Sequence, residues 1–198
     1  MQGRADLEDE DSACMLRLKE GQDLALNEIM SRWQQRLVNY LMRCLGNETD
    51  ALDLAQETFV RVYENRHRYE SRAAFSSWLF RIATNLARSQ IRWRTRHPAV
   101  AIETAFEGEG AADVEPPSAD PGAGEILIKK ENTMALRAAM RQLDADSRTV
   151  LLLFEFEEQS YQQIATILGC TPKAVEGRLY RARQALRDVL LASTPHLL

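Results

Sequence analysis

Apolar residues recur at three- and four-residue steps along most of the chain, and no stretch alternates apolar and polar residues as a strand does. This period is typical of amphipathic helices that bury one face. Gly46 and Asn47 are expected to end one such helix, and Pro98 another. The pattern predicts helices near 22–45, 49–65, 73–95, 125–142, 145–156, 161–168 and 172–190.

A break in the pattern separates two sets of helices. Residues 98–124 are rich in Gly, Pro, Ala and acidic side chains and show no periodicity, which is typical of a flexible linker. We therefore expect an all-α protein of two small helical bundles joined by this acidic linker. The predicted segments are an acidic N-terminal segment at 1–19, a first bundle at 20–97, the linker at 98–124, a second bundle at 125–191 and a tail at 192–198.

The most specific local pattern lies at 160–186. Ser160 followed by Gln163 predicts a capping box at a helix start, and Gly169 allows a sharp exit from that helix. Thr171 then caps the next helix, with Pro172 at its first position. We predict a helix-turn-helix. Its expected buried positions are Ile164, Ala165 and Leu168 on the first helix, and Val175, Leu179, Ala182 and Leu186 on the second.

The net charge of the chain is −4, but the charges are sorted along it. Residues 61–97 contain nine arginines and two acidic residues, and residues 169–187 contain five basic residues and one glutamate. Residues 98–125 contain seven acidic residues and neither Lys nor Arg. Two basic blocks separated by an acidic one indicate two contacts with a polyanion.

The second helix of the helix-turn-helix carries one basic block. With Val175 buried, the helical period turns a polar face outward that can enter a DNA major groove. Arg and Lys can donate to guanine, a glutamate can accept from cytosine, and glycine permits close approach. Arg183 and Arg187 are expected to meet phosphates, which position a protein without specifying sequence. The predicted base-reading set is Lys173, Glu176, Gly177, Arg178 and Arg181.

The other basic block forms a stripe on the helix near 73–95. Arg81, Asn85, Arg88 and Arg92 follow steps of four, three and four, opposite an apolar stripe that includes Phe75, Leu79, Ile82 and Leu86. The preceding loop interleaves arginines with Tyr69, which suits unstacked single-stranded bases. Core packing is the favoured role of Phe75 and Trp78. The predicted DNA-contacting set is Tyr69, Arg81, Asn85, Arg88 and Arg92, and for Tyr69 core packing is an alternative of nearly equal weight.

The helix near 49–65 has an apolar stripe of Leu52, Ala55, Phe59 and Val62, and a face rich in acidic groups. An acidic face cannot help DNA affinity, so it is either a plain solvated surface or a docking surface for a basic protein partner. The residues of this face recur at three- and four-residue steps, and they are Asp50, Asp53, Gln56, Glu57, Arg61 and Glu64.

Several classes are disfavoured. No apolar run reaches the ~20 residues of a membrane helix, and the acidic start is no signal peptide, so we expect a cytoplasmic protein without membrane insertion. Cys14, Cys44 and Cys170 form neither a zinc motif nor a disulfide framework. An enzyme such as a nuclease needs clustered carboxylates for a metal or a general base, and that pattern is missing. We expect no catalytic residue, metal or cofactor.

Two long segments resemble a known family. LGNETDALDLAQETFVRVYENRHRYESRAAFSSWLFRIATNLARSQIRWRTR is similar to region 2 of bacterial sigma factors. LDADSRTVLLLFEFEEQSYQQIATILGCTPKAVEGRLYRARQAL is similar to their region 4. Both regions in this order, without region 3, resemble the extracytoplasmic-function (ECF) class over residues 20–190. The chain departs from the family at Ser89, where an acid is common, and at Asp144, where proline is common; Asp144 can still cap a helix.

The resemblance implies a mechanism. Asp53, Gln56, Glu57 and Arg61 would grip core RNA polymerase, the stripe with Tyr69 would read and melt the minus-ten element, and the helix-turn-helix would read the minus-thirty-five element as duplex. The class is commonly held inactive by an anti-sigma factor, often membrane-bound. The alternative is a helix-turn-helix regulator that acts on operators without core polymerase. That alternative predicts a dimer interface and palindromic sites, and it leaves the first basic block without a task.

Overall fold

The computed structural model describes residues 2–70, 74–97 and 134–193, and every regular element in these ranges is helical. The predicted linker at 98–124, the stop at Pro98, residues 125–133 of the predicted helix near 125–142 and most of the predicted tail lie outside the described residues. The helices are α1 Gln2–Lys19, α2 Ala25–Leu45, α3 Glu48–Glu64, α4 Phe75–Arg96, α5 134–142, α6 Ala145–Leu151, α7 Tyr161–Leu168 and α8 Pro172–Ser193; a 3₁₀ turn spans Arg66–Arg68 and a π-helical turn spans Leu152–Phe156.

Helices α1 to α4, here the N-module, pack around an aromatic core. The ring of Phe80 meets Trp33 edge-on at 6.0 Å and Tyr40 at 5.0 Å between centroids. The Tyr40 hydroxyl shares a 2.7 Å hydrogen bond with Oγ1 of Thr84, so its polar end is satisfied inside the core. Phe75 is fully buried, as the sequence favoured. These contacts fix α4 against α2.

Helix α1 is a part of the N-module that the apolar pattern did not predict. Met15 and Leu18 are fully buried. Asp11 is also buried, and its carboxylate accepts from Nε1 of Trp33 at 2.7 Å and from Nε of Arg32 at 2.9 Å. Buried polar groups of this kind are stable only when they are hydrogen-bonded. An acidic helix can therefore join the core through bonds that its own sequence does not reveal.

The junction of α2 and α3 follows from two adjacent residues. Gly46 adopts a left-handed conformation with φ of +72°, and its N–H donates to the carbonyl oxygen of Met42 at 2.8 Å. A glycine takes this conformation at little cost, which ends α2. The Asn47 side chain then accepts from the backbone N–H of Asp50 at 2.9 Å and caps α3. The predicted helix stop is confirmed.

Helices α5 to α8, here the C-module, contain the predicted helix-turn-helix. The capping box is complete: Ser160 Oγ accepts from the Gln163 N–H at 3.2 Å, and Gln163 Oε1 accepts from the Ser160 N–H at 2.9 Å. Gly169 has a φ of +64° at the turn, and Val175 is fully buried. Two of the predicted buried positions, Leu168 and Leu186, are only partly buried, and Ile167, which was not predicted, is buried.

The predicted helix at 145–156 changes character near its middle. Asp144 caps α6 by accepting from the N–H groups of Asp146 at 3.0 Å and Ser147 at 2.9 Å. After Leu151 the chain continues as the π-helical turn, closed by a 3.0 Å bond from the Glu157 N–H to the Leu152 carbonyl. The wider turn alters the directions of the residues that follow it. Glu157 is thereby buried.

The two modules were predicted to be separate bundles, and the structure brings them into contact. Helix α7 packs on α4, and the π-helical turn packs on α2. Arg148 of α6 donates to the carbonyl oxygen of Cys44 in α2 at 3.0 Å. Burial lowers the pKa of Arg148 from its ordinary value. The contact places α4 and the helix-turn-helix side by side.

Candidate nucleic-acid interface

The outward face of α8 carries the predicted base-reading residues. Lys173 and Glu176 form a 2.7 Å ion pair on this face, and its hydrogen bond raises the pKa of Lys173. Arg181 is exposed, whereas Arg178 is half-buried. Tyr180 is 67% exposed, so an aromatic ring stands among the charged groups. The face presents donors, an acceptor and an aromatic ring, which is the mixture that base edges in a major groove require.

Gly177 lies in the middle of this face without a structural need for glycine. Its φ is not positive, and a Cβ built there would come no closer than 3.6 Å to a side-chain nitrogen of Arg181. That separation is an ordinary van der Waals contact. A glycine in a helix interior costs about 0.5–1 kcal/mol relative to alanine. The fold itself therefore gives no reason for glycine here, and the missing side chain leaves a gap on the outward face of α8.

The two remaining arginines of α8 differ from each other. Arg183 forms a 2.7 Å ion pair with Glu155, and its guanidinium lies 5.1 Å from the ring centre of Phe154. Both partners of the pair are about half exposed, so the pair contributes little to stability and can be exchanged for a phosphate. Arg187 is exposed. In this structure the guanidinium of Arg183 therefore contacts other residues of the C-module, while about half of its side chain stays exposed to solvent.

The predicted basic stripe lies along one side of α4. Arg81, Asn85 and Arg92 are exposed, and a guanidinium nitrogen of Arg92 donates to Ser89 Oγ at 3.1 Å. Arg88 is half-buried because it forms a 2.8 Å ion pair with Asp146 of the C-module. Further along the helix, Arg94 pairs with Asp50 of α3. The stripe is therefore partly covered where the modules meet.

Tyr69 does not share the surface of this stripe. Its side chain is 1% exposed, and its hydroxyl shares a 3.0 Å hydrogen bond with Ser12 Oγ of α1. Lys19 Nζ donates to the Tyr69 carbonyl oxygen at 2.6 Å, and the ring lies 5.3 Å from that of Trp78. Helix α1, which the sequence pattern missed, is what encloses it. A base can reach this ring only if α1 moves.

The exposed face of α3 is mixed rather than purely acidic. Asp53 and Gln56 are exposed, and Glu57 accepts from Arg61 at 2.8 Å one turn away. Val60, at the centre of this face, is 49% exposed. Val60 was not among the predicted residues of this face; its signal in the sequence is an apolar residue four positions after Gln56.

The predicted apolar stripe of α3 needs one correction. Ala55, Phe59 and Val62 are buried, but Leu52 is 41% exposed. Leu52 follows the buried Ala51 by one residue, which turns its side chain about 100° round the helix to the edge of the buried stripe. Leu52 and Val60 together give the face an apolar component suited to a protein partner.

The structure brings residues from both basic blocks together. Arg88 and Arg92 of α4 and Arg178 of α8 line one cleft where the modules meet. Within the described ranges, no group of three or more His, Cys, Asp or Glu side chains could hold a metal ion. Among the helices described here, none combines the length and apolar character needed to cross a membrane. The chemistry of the site is thus that of positive charge and hydrogen-bond donors.

Comparison with known proteins matches this geometry to a family. The family model of sigma-70 region 2 matches residues 29–97, and the model of sigma-70 region 4 matches residues 133–186. The RNA polymerase sigma-H factor of Pseudomonas aeruginosa is 31% identical over 189 residues, covering 92% of this chain and 95% of the relative. The ECF sigma factor SigW of Bacillus subtilis is 32% identical over 177 residues, covering 87% of this chain and 92% of the relative.

A solved structure has the same fold. CnrH, determined in complex with the cytosolic domain of CnrY, superposes with a TM-score of 0.65 at 26% identity, covering 92% of this chain and 98% of that one. The chain therefore belongs to the ECF class of the sigma-70 family. Its N-module contains region 2 and its C-module contains region 4. Helix α1 lies entirely before the matched residues.

Proposed function

We propose that this protein binds core RNA polymerase and directs it to specific promoters, melting the minus-ten element and reading the minus-thirty-five element as duplex. The observation that carries the proposal is the presence, in one chain, of regions 2 and 4 with a basic surface on each. A regulator that acts on operators alone would need only the helix-turn-helix. Such a regulator would give no function to the α4 stripe or to the exposed α3 face.

The minus-thirty-five contact is assigned to α8. Lys173, Arg178 and Arg181 supply donors for guanine, and Glu176 supplies an acceptor for cytosine. The gap at Gly177 lets the helix backbone approach the bases. Arg183 and Arg187 lie further along the helix, where they can meet phosphates. Arg178 becomes fully available when the cleft between the modules opens.

The minus-ten contact is assigned to α4. Arg81, Asn85, Arg88 and Arg92 form a row that can hold a strand by its phosphates and one or two base edges. Unstacking a base costs a few kcal/mol, which capture of the unpaired strand offsets. Arg88 joins the row after it leaves Asp146. Tyr69 takes part only in a state in which α1 has moved away.

Core polymerase is assigned to the exposed face of α3. Asp53, Gln56, Glu57 and Arg61 provide the polar contacts, and the exposed apolar side chain of Val60 supports the proposal of a protein partner on this face. Interfaces between proteins combine an apolar centre with a polar rim. The protein acts without a catalytic residue or cofactor of its own, in the cytoplasm where core polymerase works.

An anti-sigma factor is the other proposed partner. The related structure contains CnrH bound to the cytosolic domain of CnrY. We extend that kind of partner to this chain because the two share a fold over most of their lengths. Such a partner would compete with core polymerase or with promoter DNA for the same faces.

The test is run-off transcription on a pool of genomic fragments with purified core polymerase. Wild-type protein should give discrete transcripts from a small set of fragments, and core polymerase alone should give none. The double variant Asp53→Arg with Glu57→Arg should bind core polymerase poorly and remain silent while keeping its helical content. Duplex binding without any transcript from wild-type protein would favour the operator-binding regulator instead.

A further inference from the structure

A cleft with a volume of about 380 Å³ lies where α4 meets the helix-turn-helix. Three guanidinium groups line it, from Arg88, Arg92 and Arg178. Asp146 is the one carboxylate among the lining residues, and Ile91 and Leu168 provide apolar wall. Cavities of about 300–1,000 Å³ are typical of sites that enclose small ligands.

The donors in this cleft exceed the acceptors that the described residues supply. Arg88 gives one guanidinium nitrogen to Asp146 at 2.8 Å, and its Nε is buried without an acceptor among the described residues. Arg92 donates to Ser89 Oγ at 3.1 Å, and Arg178 meets Cys170 Sγ at 3.8 Å, a distance typical of a weak bond. Each guanidinium carries five N–H donors. A buried donor without an acceptor costs roughly 1–3 kcal/mol.

We propose that this cleft, the arginine cleft, binds a small phosphate ester, namely a nucleotide with two or more phosphates. The planar fork of a guanidinium matches phosphate oxygens in pairs, and three such forks can hold two phosphates. Ile91 and Leu168 give the sugar or base an apolar surface. The cleft is bounded by both modules and is far smaller than a duplex, so it selects a small ligand.

Binding at this position stabilises the docked arrangement of the modules. The ligand contacts α4 of the N-module and α8 of the C-module together, so it binds the docked form better than a separated one. This consequence rests on the proposed function, because the same arginines are assigned there to promoter DNA. A nucleotide in the arginine cleft therefore competes with promoter binding.

Calorimetric titration of the full-length protein at fixed salt tests the site directly. The probes are inorganic pyrophosphate, ADP, adenosine and a thymidine tetranucleotide. Pyrophosphate and ADP should bind, ADP more tightly, and adenosine should not. Arg92→Ala should weaken ADP binding at least tenfold. The matched control is Arg81→Ala, which removes the same charge from the same helix outside the cleft and should leave ADP binding unchanged.

Asp146→Asn gives a test with the opposite sign. It removes the one carboxylate among the lining residues and releases Arg88, so ADP should bind several-fold more tightly. If Arg81→Ala and Arg92→Ala lost equal amounts of ADP affinity, the binding would be diffuse electrostatic attraction, and the proposed site would be overturned. Weaker ADP binding by Asp146→Asn would also overturn it. Binding of the tetranucleotide but not of ADP would assign the cleft to a DNA strand and also overturn it. These titrations contain neither polymerase nor promoter. A negative result would therefore contradict nucleotide binding without contradicting the proposed transcription function, and a negative transcription test would leave nucleotide binding untouched.

Discussion

Nε of Arg36 in α2 donates to Oε2 of Glu157 at 2.6 Å, across the boundary between the two modules. The Glu157 side chain is 2% exposed and that of Arg36 is 37% exposed. A second guanidinium nitrogen of Arg36 donates to the Glu157 carbonyl oxygen at 2.8 Å. A nearly buried carboxylate in one module thus depends on an arginine of the other. Docking of the two modules therefore also neutralises the charge of the Glu157 carboxylate.

Glu157→Gln should weaken module docking by roughly 1–2 kcal/mol, because a charged hydrogen bond is lost while the side-chain shape is kept. Small-angle scattering should show a larger radius of gyration for the variant than for wild type. The unfolding transition measured by calorimetry should broaden, because the two modules then unfold less cooperatively. The matched control is Glu155→Gln, which breaks the exposed pair with Arg183 within the C-module. Equal broadening in both variants would contradict a role for Glu157 in docking.

Gly177→Ala should separate folding from DNA binding. We expect the free energy of unfolding to rise by about 0.5–1 kcal/mol, because a helix-interior glycine is replaced where a Cβ fits. Binding to the minus-thirty-five duplex, measured by fluorescence anisotropy, should nevertheless weaken. For contrast, Gly169→Ala should destabilise the protein, since Gly169 has a φ of +64°. Unchanged duplex affinity in Gly177→Ala would remove the gap from the reading face.

Val60→Asp should reduce affinity for core polymerase with little change in the melting temperature. Val60 is 49% exposed at the centre of the α3 face, so a carboxylate there disturbs an interface rather than the core. The control is Leu24→Asp, the same kind of change at a residue that is 78% exposed outside this face. Both affinities can be read from holoenzyme assembly on a sizing column. Normal assembly by Val60→Asp would place the polymerase contact elsewhere.

The α6 cap should give a pH-dependent contribution to stability. Hydrogen bonds from the Ser147 side chain and backbone lower the pKa of Asp144 below its ordinary value. Because the folded-state pKa is depressed, the stabilisation is present above the unfolded pKa of about 3.9 and is lost as pH falls through the lower folded value.

Asp144→Ala should therefore cost about 1 kcal/mol at neutral pH, the usual value of an N-cap. The difference from wild type should shrink as the pH is lowered below about 4. Urea unfolding at several pH values measures it. Asp188→Ala, an exposed position on α8, serves as the control and should show a small, flat difference. A difference that grew towards acid pH would contradict the charged cap.

Features that depend on neighbouring residues could be predicted from the sequence. The period of apolar residues placed the predicted helices of the described ranges, and the caps at Asp144 and Ser160 lie where side-chain types indicated. Caps, turns and stripes depend on residues within a few positions of one another, so a sequence window contains them. The same holds for the α4 and α8 basic rows, whose members are three or four residues apart.

Contacts between residues far apart in the chain could not be predicted from the sequence. Helix α1 joins the core through Asp11 and Trp33, and Tyr69 is enclosed through Ser12, a residue 57 positions away in the chain. Leu52 has the side chain of a core residue, yet it remains 41% exposed because no neighbouring helix covers it in the described part of the chain.

What the sequence determined is therefore the helices after α1 in the described ranges, the helix-turn-helix and the charged rows, each specified by neighbours along the chain. What only the tertiary structure decided is which rows face each other. Arg36 meets Glu157 across 121 positions of the chain, and Arg88 and Arg178 line one cleft although they lie on different modules. The physical reason is that docking depends on complementary charge and shape from distant segments, which no local pattern records.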